Sequence, residues 1–199
     1  MTSPRPLRAD AARNRALLLA AAADEFEEHG LDASIADIAR RAGVGKGTVF
    51  RHFPTKDHLV AAIVRSRLDG LNATAEALLD APEPGTALFE FVAVAARQQQ
   101  ERDLSFLRGA GALNAETAET RRRLLHLMDR LVDRAREHGA IRPDVTGADV
   151  MVLMCAPNYV VGYVPDASPE LWQRYLALIV DGLRPEGAHP LPQPPPSAL

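Results

Sequence analysis

Residues 34 to 54 read SIADIARRAGVGKGTVFRHFP, and this stretch narrows the choice of fold more than any other. Ile35, Ile38, Ala39 and Ala42 follow the i, i+3, i+4, i+7 spacing of one helix face, and Ser34 with Asp37 has the spacing of a capping box. Gly43 ends that helix. A shorter one follows from about Gly45 to His52, and Pro54 prevents its continuation. Glycines around a lysine and a threonine admit two readings: a loop that cradles nucleotide phosphates, or a turn that aims a helix into DNA.

A phosphate loop of the Walker type needs G-x-x-x-x-G-K-[ST] between a strand and a helix. Here Gly47 follows Lys46, so the hydroxyl of Thr48 is displaced by one position, and the segment before it is an amphipathic helix. A G-x-G-x-x-G loop fails as well, because the third glycine comes one residue early. The helix-turn-helix reading uses the same residues without strain. Ala39 is small where two helices cross, Gly43 supplies a positive φ, and Val44 and Val49 point inward to lock the helices together. Gly45 and Gly47 let the backbone approach DNA closely, which leaves Lys46, Thr48, Arg51 and His52 to face the groove.

Charge agrees with the second reading. The formal net charge is -3, yet no acid lies between Asp37 and Asp57, and the interval carries Arg40, Arg41, Lys46, Arg51 and Lys56. The acids just upstream, Asp24, Glu25, Glu27 and Glu28, read as the solvent face of the first helix. Arg121, Arg122 and Arg123 fan over different helix faces near Glu116 and Glu119 and read as another solvated face.

Apolar spacing is helical nearly throughout and sustained alternation of period two is absent, so the expected fold class is all-α. A first helix is expected from Asp10 to His29, with Gly30 as its stop. A long fourth helix is expected from Lys56 to Leu79, capped by Thr55, and the run from Ala81 to Gly85 breaks the chain. Later helices are expected over about 86–102, 104–110, 115–138, 147–161 and 169–183, with Pro157 kinking or ending the fourth of these. The domain plan is a flexible basic arm (1–9), a head (10–57), a second helical bundle (58–184) and a disordered proline-rich tail (185–199).

Cys155 is the lone cysteine and the six histidines have no paired ligand spacing. A disulfide framework and a metal site are therefore not expected. No nucleophile motif stands out, so neither a catalytic residue nor a cofactor is expected. The Leu17 to Ala23 run is too short to span a bilayer, and a reducing, cytoplasmic location fits.

Residues 13 to 60 resemble the DNA-binding domain of the TetR family of bacterial repressors, whose frequent pattern AlaGlyValSerLysGlyThr, LeuTyr and aromatic-Pro-x-Lys appears here as AGVGKGTVFRHFPTKDHL after FEEHG and SIADIARR. The resemblance implies a three-helix helix-turn-helix head joined by a long helix to a C-terminal bundle that dimerises and encloses an effector pocket. It implies that Ser34 caps the second helix and touches a phosphate, that Gly45, Lys46, Gly47 and Thr48 begin the recognition helix, and that His52 and Lys56 contact the DNA backbone. Phe50 stands where the family usually has a tyrosine whose hydroxyl bonds a phosphate, with Arg51 and the arm residues Arg5 and Arg8 as compensating cations. Gly45 replaces the commoner serine. GAIRPDVTGADV resembles the C-terminal region of one subgroup of the family.

The bundle has more apolar surface than its own packing needs. Trp172, Leu176, Ile179 and Leu183 form one stripe of the final helix, and Leu171, Tyr175 and Leu178 form an adjacent one. The first stripe, with Val150, Leu153 and Val161 of the preceding helix, is the candidate homodimer interface. Phe91, Phe106, Leu124, Met128, Met154, Asn158 and Tyr159 are the candidate effector-pocket lining, and each reads equally as core. Arg97 is a candidate partner for an acidic effector or for a buried carboxylate. The expected function is a ligand-responsive repressor that binds a palindromic operator as a dimer and is released by a small molecule favouring splayed heads. A helical effector-binding dimer with only weak, sequence-indifferent DNA binding stands as the alternative.

Overall fold

Alanine, leucine and unbranched charged side chains dominate the chain, and the computed structural model resolves them into helices. It describes residues 5–101 and 114–196, with no side-chain description for 5–12, 101, 158 and 160. The order is α1 (Arg5–His29), a 3-10 turn (Gly30–Asp32), α2 (Ile35–Arg41), α3 (Lys46–His52), α4 (Lys56–Leu79), α5 (Pro84–Glu101), α6 (Ala115–Glu137), α7 (Gly147–Leu153), α8 (Ala156–Val161) and α9 (Leu171–Leu183). There is no strand among the described residues. The helix expected at 104–110 lies outside them.

Two compact units divide the chain: α4 passes from the first to the second between Arg67 and Leu68, and α6 begins in the first and passes to the second between Ala118 and Glu119. The first part of α4 thus belongs with the head. The reason is packing: Leu59, Val60 and Ile63 are buried in the same core as Leu18, Ala22, Phe26, Ile38, Val49 and Phe53. At about 1.5–3 kcal/mol for each large apolar side chain removed from water, those three residues tie the first half of α4 to the head.

In the second unit, Leu71, Ala75, Leu79, Leu88, Phe91, Leu124, Met128, Leu131, Trp172 and Leu176 belong to one apolar cluster. Arg134 closes the C-terminus of α4 by donating to the carbonyls of Leu78, Leu79 and Ala81, groups that the helix itself leaves unpaired. Thr146 and Asp149 cap α7 reciprocally, each accepting the other's backbone N–H. Gly147, at the start of α7, allows a close approach: a Cβ there would lie 2.9 Å from the backbone nitrogen of Asp129.

Several boundaries differ from expectation. α1 begins at Arg5, inside the expected arm. The single helix expected over 147–161 is two, broken after Leu153. Pro157 has no N–H to return to the Leu153 carbonyl, so the ladder stops there and restarts at Ala156. α9 starts at Leu171 instead of Pro169, because a turn from Ser168 to Leu171 precedes it.

Beyond α9 the described residues run on to 196 without a helix. Pro185 to Ala188 forms a turn, and the buried Arg142 guanidinium donates to the His189 carbonyl at 2.5 Å and to both oxygens of Asp144. The side chains of this segment are exposed and add no core, so the hold is polar.

Candidate nucleic-acid interface

Ser34 is the N-cap of α2. Its hydroxyl accepts from the Asp37 N–H at 3.2 Å and donates to the Asp37 carboxylate at 2.6 Å. The Ser34 hydroxyl, then Arg40, holds the Asp37 carboxyl below its ordinary range. Gly43 has φ +67°, the left-handed conformation the turn requires, and Val44 N–H returns to the Ala39 carbonyl at 3.0 Å. Gly45 is the N-cap of α3 with no side-chain hydrogen bond, as the replacement of serine there implies.

One face of α3 is buried through Val49, with Phe53 just beyond, and the opposite face is open. Gly45, Lys46, Gly47, Phe50 and Arg51 are exposed, and Thr48 and His52 are half-buried. The structure thus brings the expected base-facing residues onto one short helix.

Charge within the basic interval is redistributed by pairing. Arg40 is held by Asp37 at 2.8 Å. Arg41 reaches back to α1, with Glu25 at 2.9 Å and a two-pronged contact to Glu28 at 2.8 and 2.7 Å. The Arg41 hydrogen bonds push the Glu28 carboxyl below its usual range. Lys46 and Arg51, by contrast, have no partner among the described residues. The free positive charge of the interval is therefore on α3.

Two charged side chains have roles inside the head. The Lys56 ammonium donates to the Leu31 carbonyl and lies 5.4 Å from the centre of the Phe26 ring, so its side chain also fastens α4 to α1. The Thr55 hydroxyl caps α4 by accepting from the His58 N–H. The run from Asp24 to Glu28 is also more than a solvent face, because Glu25 is buried at 4% exposure and pairs with Arg41 and His29. Its partner on α2 is far outside the reach of helical periodicity. The side chains of Arg5 and Arg8 lie outside the described residues.

In the second unit, Phe91, Leu124 and Met128 are fully buried and Met154 nearly so. Arg97 is exposed. Ala95, Ala96 and Gln99 take the inner face of α5 and put position 97 on the opposite side. Tyr159 is 71% exposed, stacked edge-on with Tyr163, whose hydroxyl donates to it at 2.8 Å. It does not line an interior. Phe106 and the side chain of Asn158 lie outside the described residues. Periodicity gives no sign of Asn72, a 4% exposed residue of α4 whose amide nitrogen donates to the Thr120 carbonyl at 3.2 Å while its oxygen has no partner among the described residues.

The residues of the candidate dimer stripe all take part in packing within the chain. Val150, Trp172, Leu176 and Leu183 are buried in their own chain's core, and Leu153, Val161 and Ile179 pack against it. Exposed apolar side chains of this unit include Leu178 on the neighbouring stripe of α9, at 57% exposure, Tyr159, Tyr163 and Val164 in and after α8, and Val94 and Val152, while Leu171 and Tyr175 are half-buried.

Comparison with known proteins agrees with this architecture. Residues 18–63 match the profile of bacterial regulatory proteins of the tetR family, and residues 83–185 match the C-terminal domain of SbtR-like transcriptional regulators. A crystal structure of a TetR transcription regulatory protein from Mycobacterium vanbaalenii is 37% identical, covers 90% of this chain and 99% of its own, and superposes with a TM-score of 0.66. The HTH-type transcriptional repressor KstR2 of Mycolicibacterium smegmatis is 28% identical over 86% of this chain and 91% of its own. The HTH-type transcriptional repressor Rv3405c of Mycobacterium tuberculosis is 49% identical over 70 residues, a match that spans 35% of either chain. Head and bundle both carry the family's signature, and the chain belongs to the TetR family of transcriptional regulators.

Proposed function

We propose that the chain is a ligand-responsive repressor that binds a palindromic operator as a homodimer and leaves it when a small molecule enters the bundle. The observation that carries the DNA-binding half is the sorting of charge. Arg40 and Arg41 are neutralised within the head, and Lys46 and Arg51 remain unpaired among the described residues, on α3 beside two glycines with open space at their Cβ positions. A free cationic helix with a bare leading turn suits the major groove.

Dimerisation is supported by the exposed Leu178, Tyr159 and Tyr163 surface, since one short recognition helix contacts few bases and a second, one DNA turn away, multiplies affinity. The effector half is supported by Asn72, whose buried oxygen is left for a ligand or water to satisfy. α4 belongs to both units, so a ligand that binds more tightly with α4 shifted changes the population competent for DNA by its differential affinity. No helix of the described residues is long and apolar enough to cross a membrane.

The test is DNA affinity as a function of salt for the unmodified chain and for Lys46→Ala with Arg51→Ala. Each phosphate-neutralising cation removed is expected to reduce the slope of log affinity against log salt by about one, so the double substitution by about two per chain. An unchanged slope and affinity would place the DNA surface elsewhere and favour a bundle-only binding protein.

A further inference from the structure

Phe50 is half exposed on the open face of α3, whereas the other phenylalanine rings of the head, Phe26 and Phe53, are buried at 0% and 3%. An aromatic ring standing in water is unfavourable by the apolar area it leaves uncovered, and the described residues of the head leave half of this one bare. It has no hydroxyl and so cannot bond a phosphate oxygen.

The neighbourhood of the ring narrows what can cover it. Lys46 and Gly47 precede Phe50 by four and three positions, and Arg51 follows it. Helical side chains lean toward the N-terminus, so the ring lies over the Lys46 and Gly47 turn, the end of α3 that leads into a groove. Gly47 contributes no side chain there, and a Cβ at that position would meet nothing within 4 Å. The open face that carries the ring thus has bare backbone at Gly47 and the cations Lys46 and Arg51 near it in sequence. In the major groove the one apolar group on a base edge is the C5-methyl of thymine.

We propose that Phe50 packs on a thymine methyl and specifies that base pair once in each half-site of the operator. This rests on the operator-binding reading above and adds to it the chemistry of one position. The side chain acts by shape and apolar contact, leaving phosphate neutralisation to Lys46 and Arg51.

The test begins with an operator enriched from a randomised duplex pool by the full chain. Each thymine is then replaced, symmetrically in both half-sites, by deoxyuridine, which keeps every hydrogen-bonding group and removes only the methyl. Affinity is measured at one salt concentration for the unmodified protein and for Phe50→Ala, after melting curves confirm that the exposed substitution leaves folding intact. One thymine per half-site is expected at which the unmodified protein loses about fourfold per methyl, the equivalent of about 0.8 kcal/mol. Phe50→Ala is expected to be indifferent to that methyl while keeping the unmodified salt slope.

The proposal is overturned if no thymine shows a methyl effect that depends on residue 50. It is equally overturned if Phe50→Ala weakens binding to all sequences alike with a shallower salt slope, which would make the ring a support for phosphate binding. A pool that returns no enriched sequence would instead overturn the operator-binding reading itself.

Discussion

Glu25 and Asn72 are both polar residues placed where the apolar pattern alone would put core, and they call for opposite expectations. Glu25 is buried and satisfied by Arg41 and His29, so it acts as an electrostatic strut between α1 and α2. Removing one partner of a fully buried pair costs about 3–5 kcal/mol, and the partial exposure of Arg41 reduces that, so Glu25→Ala is expected to destabilise the head by about 2 kcal/mol. Chemical denaturation monitored on the head, together with weakened DNA binding without any substitution on α3, checks this. Asn72 is buried, its oxygen has no partner among the described residues, and a buried amide oxygen left without one offsets what its nitrogen's bond contributes. Asn72→Leu is therefore expected to leave the melting temperature of the ligand-free protein unchanged or higher. A drop of several degrees would show that its bond to the Thr120 carbonyl is a structural clamp and nothing more. Sequence patterning could find neither role, because each depends on a partner far along the chain. The residues it did place well, Ser34, Gly43, Val49 and the exposed face of α3, are those whose roles follow from local backbone geometry.

At the scale of elements, the same distinction holds. Caps at Ser34 and Thr55 and the stops at Gly30 and Gly43 were legible because a helix end is decided by a few adjacent residues. The α7 and α8 break was legible in its cause, Pro157, and misplaced in its position. The path of the tail was not legible, since its composition is that of a segment without core and its anchor, Arg142, lies 47 residues before the His189 carbonyl it holds. Arg142 hydrogen bonds hold the Asp144 carboxyl below its ordinary range, and the Leu191 N–H adds to this. A carboxyl with a lowered pKa in the folded state gives stability that is present above the unfolded value, near 3.9, and lost as pH falls through the folded one. Protection of 188–191 amides in hydrogen exchange is accordingly expected at neutral pH and expected to fade below about pH 4. Arg142→Ala is expected to abolish it at every pH. Close approach at Gly147 gives a second expectation, that Gly147→Ala destabilises the bundle by more than the few tenths of a kcal/mol typical of a surface change, because the obstacle is the Asp129 backbone.

For the whole molecule, family membership and the all-helical, two-unit plan were readable from one motif and the helical period, while the faces of α9 were not. Two adjacent apolar stripes lie on that helix, and only packing decides which one the chain keeps for itself. Trp172, Leu176 and Leu183 turn inward, so the stripe left exposed is the one containing Leu178, and the homodimer proposed above would use it. Leu178→Arg is expected to convert a two-chain species to a single chain in sedimentation velocity, with the fold retained by circular dichroism. A Trp172→Ala chain is expected to lose about 3–5 kcal/mol of bundle stability instead, as a core residue does. The central claim is that two such chains read a palindrome through α3, and the most direct measurement is selection of duplexes from a randomised pool by the purified protein at physiological salt, with Lys46→Ala, Thr48→Ala beside it. The account expects a two-fold symmetric sequence, its half-sites about one helical turn apart, enriched by the unmodified protein and not by the variant. Enrichment of the same sequences by both, or of none by either, would contradict it.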